Sequence, residues 1–283
     1  MKKVFIILMV SLFTFSSCVT VRKEFTRKMN SIEFTLESKN YKELPVVTVN
    51  ISKNPLLPKY YNFIVDTGCA YSIFFDSKDN YEYIVINFLN YAFNANAFTK
   101  PKRNIPVKGM IGEDFLSQFK RVDFDYNKKI IEFDNPVLRT QAETDIEYIT
   151  ELGNIPIASI IIEDKEEKAI IDTGCQIPFI RRNVEMDIDI SKINDLYKKI
   201  ISQEMLIDIK EESSLEYIDF HFGSFYVSNA CSVDFNDPNL QLMFPAVRGG
   251  LSFLNIIGST LLCIFGENGR FQIDYENMKF RVY

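Results

Sequence analysis

The sequence predicts a mainly β protein made of two copies of one strand-rich unit, and three observations carry that expectation. Short apolar stretches recur between turn-forming residues along most of the chain, as strands do. A ten-residue pattern occurs twice: Val65 to Phe74 reads V-D-T-G-C-A-Y-S-I-F, and Ile171 to Ile180 reads I-D-T-G-C-Q-I-P-F-I. The sequence after each copy also repeats. Met110-Ile111-Gly112 leads to Phe115-Leu116 and then to Val122 to Phe133, whereas Ile256-Ile257-Gly258 leads to Leu261-Leu262 and then to Phe271 to Val282.

Residues 1–17 have the layout of a secretory signal. Met1-Lys2-Lys3 is cationic, and Val4 to Phe15 is apolar apart from Ser11 and Thr14, a run too short to span a bilayer comfortably. Ser16-Ser17-Cys18 resembles a bacterial lipobox with Phe15 where Leu is usual. Cys18 is therefore expected to carry lipid, with residues 18–30 as the lipidated N-terminus and tether, and the chain is expected on the cell envelope, periplasmic or surface side. A plain signal peptide with an incidental Cys18 is the alternative.

The first unit is expected over residues 31–138 and the second over 144–283, joined by a polar linker that contains Pro136. Ser31 to Thr35 aligns with Asp145 to Ile149, and Pro45 to Ser52 with Pro156 to Glu163. Ile86 to Phe98 aligns with Phe220 to Val233, a pair of short strands in each unit. The segments Val122 to Phe133 and Phe271 to Val282 read as hairpins, with Asp125-Tyr126-Asn127 and Asp274-Tyr275-Glu276-Asn277 near their turns. One helix is expected, capped by Ser191 and carrying Ile193, Leu196, Tyr197, Ile200 and Ile201 at helical spacing, within an insertion of the second unit.

Composition narrows the function classes. At 47% hydrophobic and 25% charged residues, with 11 Gly and 10 Pro, the chain is neither collagen-like nor broadly disordered. A net charge of −6 without basic clusters leaves no electrostatic footprint for nucleic acid. The single histidine, His221, lies in the alternating stretch Ile218 to Phe222 and reads as a solvent-facing strand residue. A Ser-His-Asp or Cys-His arrangement would rest on it alone, and neither a metal site nor an organic cofactor has support. With Cys18 lipidated, Cys69, Cys175, Cys231 and Cys263 remain, and three disulfide pairings are open to them.

The two Asp-Thr-Gly loops, each after an apolar strand and each matched by a later hydrophobic-hydrophobic-Gly, resemble those of the pepsin and retroviral-protease clan. The Ile-Gly-x-x-x-Leu tails, Ile111 to Leu116 and Ile257 to Leu262, look most like bacterial retropepsin-type domains. Over about residues 31–283 the resemblance implies a two-lobed pepsin/retropepsin-like acid-protease fold with pseudo-two-fold symmetry. It further implies that Asp66 and Asp172 are a catalytic pair sharing one proton, activating water against a peptide carbonyl. Thr67 and Thr173 would bond to the opposite loop, Gly68 and Gly174 would give each turn its tightness, and Gly112 and Gly258 would let a strand pass close behind. The expected activity is that of a monomeric, membrane-tethered aspartic endopeptidase acting on peptides or proteins.

Two departures accompany the resemblance. The position after each Asp-Thr-Gly holds Cys69 or Cys175 where Ser, Thr or Ala is usual, so the site is either redox-sensitive or simply packs a small thiol. The stretch between the first Asp-Thr-Gly and Ile86 is short for the hairpin flap that normally closes over substrate. Arg181 to Asp219 is longer, and Met205 to Tyr217 is the expected cover. The alternative function is a catalytically weak or inactive lipoprotein that holds a peptide or partner in the cleft.

Overall fold

The computed structural model describes residues 31–34, 44–51, 58–77, 83–88, 91–99, 107–149, 154–175, 179–181, 215–234, 255–265 and 269–283. The signal segment, Cys18, the tether, the helix expected from Ser191 and residues 205–214 of the expected cover lie outside them. The chain is mainly β. No helix among the described residues is long and apolar enough to cross a membrane.

Six strands of the first half close into a barrel. β2 (Val46–Asn50) pairs antiparallel with β3 (Tyr60–Val65), which runs parallel to β7 (Gly109–Ile111). β7 is antiparallel to β4 (Ile73–Ser77), β4 is parallel to β6 (Tyr91–Thr99), and β6 is antiparallel to β5 (Tyr83–Phe88). Asn50 opposite Asn87 closes the ring. The second half repeats each step with the same sense. β11 (Ile155–Ile162), β12 (Lys165–Asp172), β16 (Asn255–Gly258), β13 (Phe179–Arg181), β15 (Phe225–Asp234) and β14 (Leu215–Phe222) follow one another in that order. Ile161 opposite His221 and Ile162 opposite Phe220 supply the closing contact. The paired strands expected at Ile86 to Phe98 and Phe220 to Val233 fall within the β5–β6 and β14–β15 hairpins.

The remaining strands join the halves in one antiparallel run. Its order is β1 (Ser31–Glu33), β9 (Ile130–Phe133), β8 (Arg121–Asp125), β17 (Arg270–Asp274), β18 (Lys279–Val282) and β10 (Ala142–Ile149). The halves meet at β8 and β17, where Phe124 lies opposite Phe271 and the two rings stack at 4.9 Å. Both rings are fully buried, each contributing about 1.5–3 kcal/mol relative to exposure. Polar side chains in this sheet bond both across the seam and within the second half. Gln272 donates to Asp123 at 2.9 Å, and Arg281 donates to Gln272 at 3.1 Å and also to Asp274.

The two hairpins of this sheet turn alike. Asp125 Oδ1 accepts from the Lys128 amide at 2.8 Å, and Asp274 Oδ1 accepts from the Asn277 amide at 2.9 Å. Lys129 at φ 56° and Met278 at φ 54° complete the turns, and their carbonyls accept from the amides of Phe34 and Ile146. That last pair corrects the alignment of the two units. Phe34 corresponds to Ile146, two residues earlier than the apolar pattern suggested, and a shift of two leaves the same side chains on the same face of a strand.

Candidate active site

Asp66 and Asp172 stand at the ends of equivalent strands, β3 and β12, where each strand runs out of its sheet into a turn. Apolar residues carry them there: Ile64, Val65, Ile170 and Ile171 are buried, and only the residue after each pair is polar. The Asp66 amide donates to the Ile111 carbonyl at 2.9 Å, and Asp172 lies opposite Gly258 in the parallel pairing of β12 with β16. The two loops therefore face each other across the seam between halves.

Four bonds tie the loops together through their threonines. The Thr67 amide donates to Thr173 Oγ1 and the Thr173 amide to Thr67 Oγ1, both at 3.1 Å. Thr67 Oγ1 donates to the Ile171 carbonyl at 2.5 Å, and Thr173 Oγ1 to the Val65 carbonyl at 2.7 Å. Both side chains are fully buried, and each hydroxyl acts as donor and acceptor.

The glycines set the separation of the carboxyl groups. A Cβ at Gly68 would lie 2.3 Å from Asp172 Cγ, and one at Gly174 would lie 2.1 Å from Asp66 Cγ. Each carboxyl thus occupies the space that a side chain on the opposite glycine would need. Behind the first loop, a Cβ at Gly112 would meet the Cys69 carbonyl at 2.5 Å. Gly258 forms the equivalent lead into its helix at the end of β16.

The carboxyl groups share a hydrogen bond, and burial raises the pKa of both. Asp66 is held well above the ordinary carboxylate range by burial, then by the neighbouring Asp172 charge and by the bond to Asp172. Burial likewise raises Asp172, while the bond from Asp66 and the amides of Gly174 and Cys175, each 2.9 Å from Oδ1, favour its charged form. The arrangement can therefore hold one proton between the two carboxyl groups.

The supporting residues were only partly foreseen from sequence. Ser72 donates to Asp114 Oδ1 through its amide at 2.8 Å and its hydroxyl at 2.7 Å, while its Oγ accepts from the Gly112 amide at 3.0 Å. Asp114 belongs to α1 (Glu113–Leu116), the short helix after Gly112, and α2 (Ser259–Leu262) follows Gly258 in the same way. Each helix begins with a residue bonded to a tyrosine of the other half. The Tyr275 hydroxyl donates to Glu113 Oε1 at 3.0 Å, and the Tyr126 and Ser259 hydroxyls lie 2.9 Å apart. The available signal was the pair of tyrosines, Tyr126 and Tyr275, at matching places in the two hairpin turns.

Cys69, Cys175 and Cys263 are thiols, and Cys69 Sγ donates to the Tyr71 carbonyl at 3.1 Å. The Cys231 side chain lies outside the described residues. His221 is half-buried in β14 between buried Phe220 and Phe222. Among the described residues no group of three or more His, Cys, Asp or Glu is placed to hold a metal ion. No protein-family model matches the chain, and no curated protein matches it.

Proposed function

We propose that this protein is an aspartic endopeptidase of the two-lobed acid-protease fold, with Asp66 and Asp172 as its catalytic dyad. The observation that carries the reading is the mutual fit of the two loops: each glycine leaves room for the opposite carboxyl, and each threonine hydroxyl bonds the opposite strand end. Two carboxyl groups so close cannot both ionise readily, so a single proton is retained between them.

Asp172 acts as the base. It takes a proton from a water held between the carboxyl groups as that water attacks the peptide carbonyl carbon. Asp66 donates its proton to the carbonyl oxygen, giving a neutral tetrahedral diol. The nitrogen is then protonated as the C–N bond breaks, leaving a carboxylic acid and an amine and restoring the shared proton. The chain acts on peptides or proteins as a monomer, exported and tethered to the envelope through lipidated Cys18.

A second reading, a peptide-binding protein with little or no turnover, is favoured by one feature. Residues 78–82 alone link β4 to β5, whereas residues 182–214 link β13 to β14. A flap on the first half, which aligns substrate in related folds, has no room there, so any cover must come from the second.

Incubating the mature chain with a peptide library at pH 4 to 7 and sequencing the products by mass spectrometry separates the two readings. The protease reading expects new termini at a consistent sequence. Peptides that are bound but recovered intact would support the second.

A further inference from the structure

We propose that Tyr126, in the hairpin turn of the first half, is a positioning residue for Asp172 of the second: acting through Ser259 and the Cys175 amide, it fixes the orientation of that carboxyl group. The proposal deepens the reading of Asp66 and Asp172 as a catalytic pair and rests on it.

Every step between the two residues is a contact. The Tyr126 and Ser259 hydroxyls lie 2.9 Å apart. The Ser259 amide donates to the Cys175 carbonyl at 2.7 Å. The Cys175 amide donates to Asp172 Oδ1 at 2.9 Å, beside the Gly174 amide at the same distance. Asp172 is half-buried whereas Asp66 is buried, so side-chain packing encloses Asp172 less completely. The two amides therefore carry more of the task of aiming its carboxyl group.

Ser259 opens α2, a single turn with no side-chain cap at Gly258. So short a helix does not fix its own place, and its first amides need partners outside it. The Cys175 carbonyl takes the Ser259 amide, and Tyr126 takes the side chain. The tyrosine is itself held. Phe34 meets its ring edge-on at 5.4 Å, Phe271 lies 6.2 Å away, and its amide donates to the Gly269 carbonyl at 3.1 Å. A phenylalanine would pack between those rings as well, and a buried hydroxyl is costly unless bonded, so the contact with Ser259 accounts for a tyrosine there. The loop of the first half ends differently. The Glu113 amide donates to the Cys69 carbonyl at 2.8 Å, and the Cys69 amide goes to the Asp66 main-chain carbonyl at 3.3 Å. The Cys175 amide approaches the matching Asp172 carbonyl at 3.4 Å but also reaches the side chain. The equivalent path in the first half thus ends on main chain, and the path from Tyr126 ends on the carboxyl group.

The test follows the Cys175 amide proton by NMR in the mature chain labelled with nitrogen-15 cysteine, with Cys69 and Cys175 assigned from C69S and C175S. D172N, which removes the charged acceptor, sets the direction in which that proton moves when its bond weakens. In Y126F and in S259A it is expected to move the same way by a smaller amount, yet further than the Cys69 amide proton moves. A Cys175 resonance that stays in place, moves the other way or moves no further than that of Cys69 overturns the proposal. A purely structural role would lower the thermal midpoint and move both amides alike, or neither. If S259A does not fold, Y126F decides by the same criterion. Because these resonances need no turnover, absence of hydrolysis by the unaltered protein counts against the protease reading alone. Where hydrolysis is measured, Y126F is expected to lower kcat by about 10-fold or more with KM unchanged, since a misplaced reacting group costs rate rather than binding. An unchanged kcat in folded Y126F would likewise overturn the proposal.

Discussion

A methyl group at Gly174 has no room, because the Asp66 carboxyl already fills the place it would take. Gly174→Ala is therefore expected to push the carboxyl groups apart. Overpacking of this kind costs about 1–3 kcal/mol of stability, read by denaturant unfolding. Peptide hydrolysis is expected to fall further than that loss explains, since separated carboxyls no longer share a proton. Unchanged turnover would show that the pair needs no such proximity. Thr173 tests the bonds between the loops. Thr173→Val keeps the shape but removes the donor to the Val65 carbonyl and the acceptor for the Thr67 amide. Leaving these buried groups unpaired is expected to cost about 1–3 kcal/mol each in the same unfolding measurement. A variant as stable as the parent would mean that the hydroxyl adds nothing beyond its volume.

At the scale of elements, the strands that carry the pair were largely legible in the sequence. Ile64-Val65 and Ile170-Ile171 announce the strands, and the recurrent Ile-Gly announces the neighbour that runs parallel to each. What pattern alone misplaced was the register of the first strand, because Phe34 and Tyr148 are both aromatic and lie on matching faces. Backbone hydrogen bonds at Lys129 and Met278 resolve it in favour of Ile146. The contacts of Glu113 and Ser72 were not legible, since each depends on a partner in a distant segment that no local spacing encodes. The turn between β11 and β12 offers an element-level prediction. Glu163 and Asp164 have φ of 50° and 63°, the left-handed region a two-residue hairpin requires and glycine accepts without steric cost. Asp164→Gly is expected to raise stability by about 0.5–1 kcal/mol, measured by urea unfolding. A loss of stability would show that the aspartate side chain holds the turn more strongly than its backbone opposes it.

Over the whole molecule, buried carboxyls shape the response to pH. Burial raises Asp66, Asp172 and Glu113, and pushes Asp123, fully buried in the sheet between the halves, up to about 6. A carboxyl whose folded pKa lies above its unfolded value contributes stability that is complete below the unfolded value and lost as the pH rises through the folded one. Between 3.8 and about 6, Asp123 alone accounts for a loss of at most about 3 kcal/mol. Asp274, lowered by bonds from Asn277 and Arg281 that outweigh burial, works in the opposite direction and loses stability only as the pH falls below the unfolded value of 3.8. Thermal unfolding from pH 4 to 8 is therefore expected to give its highest midpoint at the acidic end, with a decline toward neutrality. A midpoint that rises steadily to pH 8 would mean that these carboxyls are ionised at no cost.

The same acidic preference is expected of the proposed chemistry, because a catalytic pair of this kind would work only while one proton is retained. The most direct test is to follow cleavage of one library-selected peptide by the parent chain, Asp66→Asn and Asp172→Asn side by side at the pH of maximum rate. Each substitution is expected to lower the rate by about 10²–10⁴-fold while the fold persists. Hydrolysis that continues undiminished in either variant would contradict it.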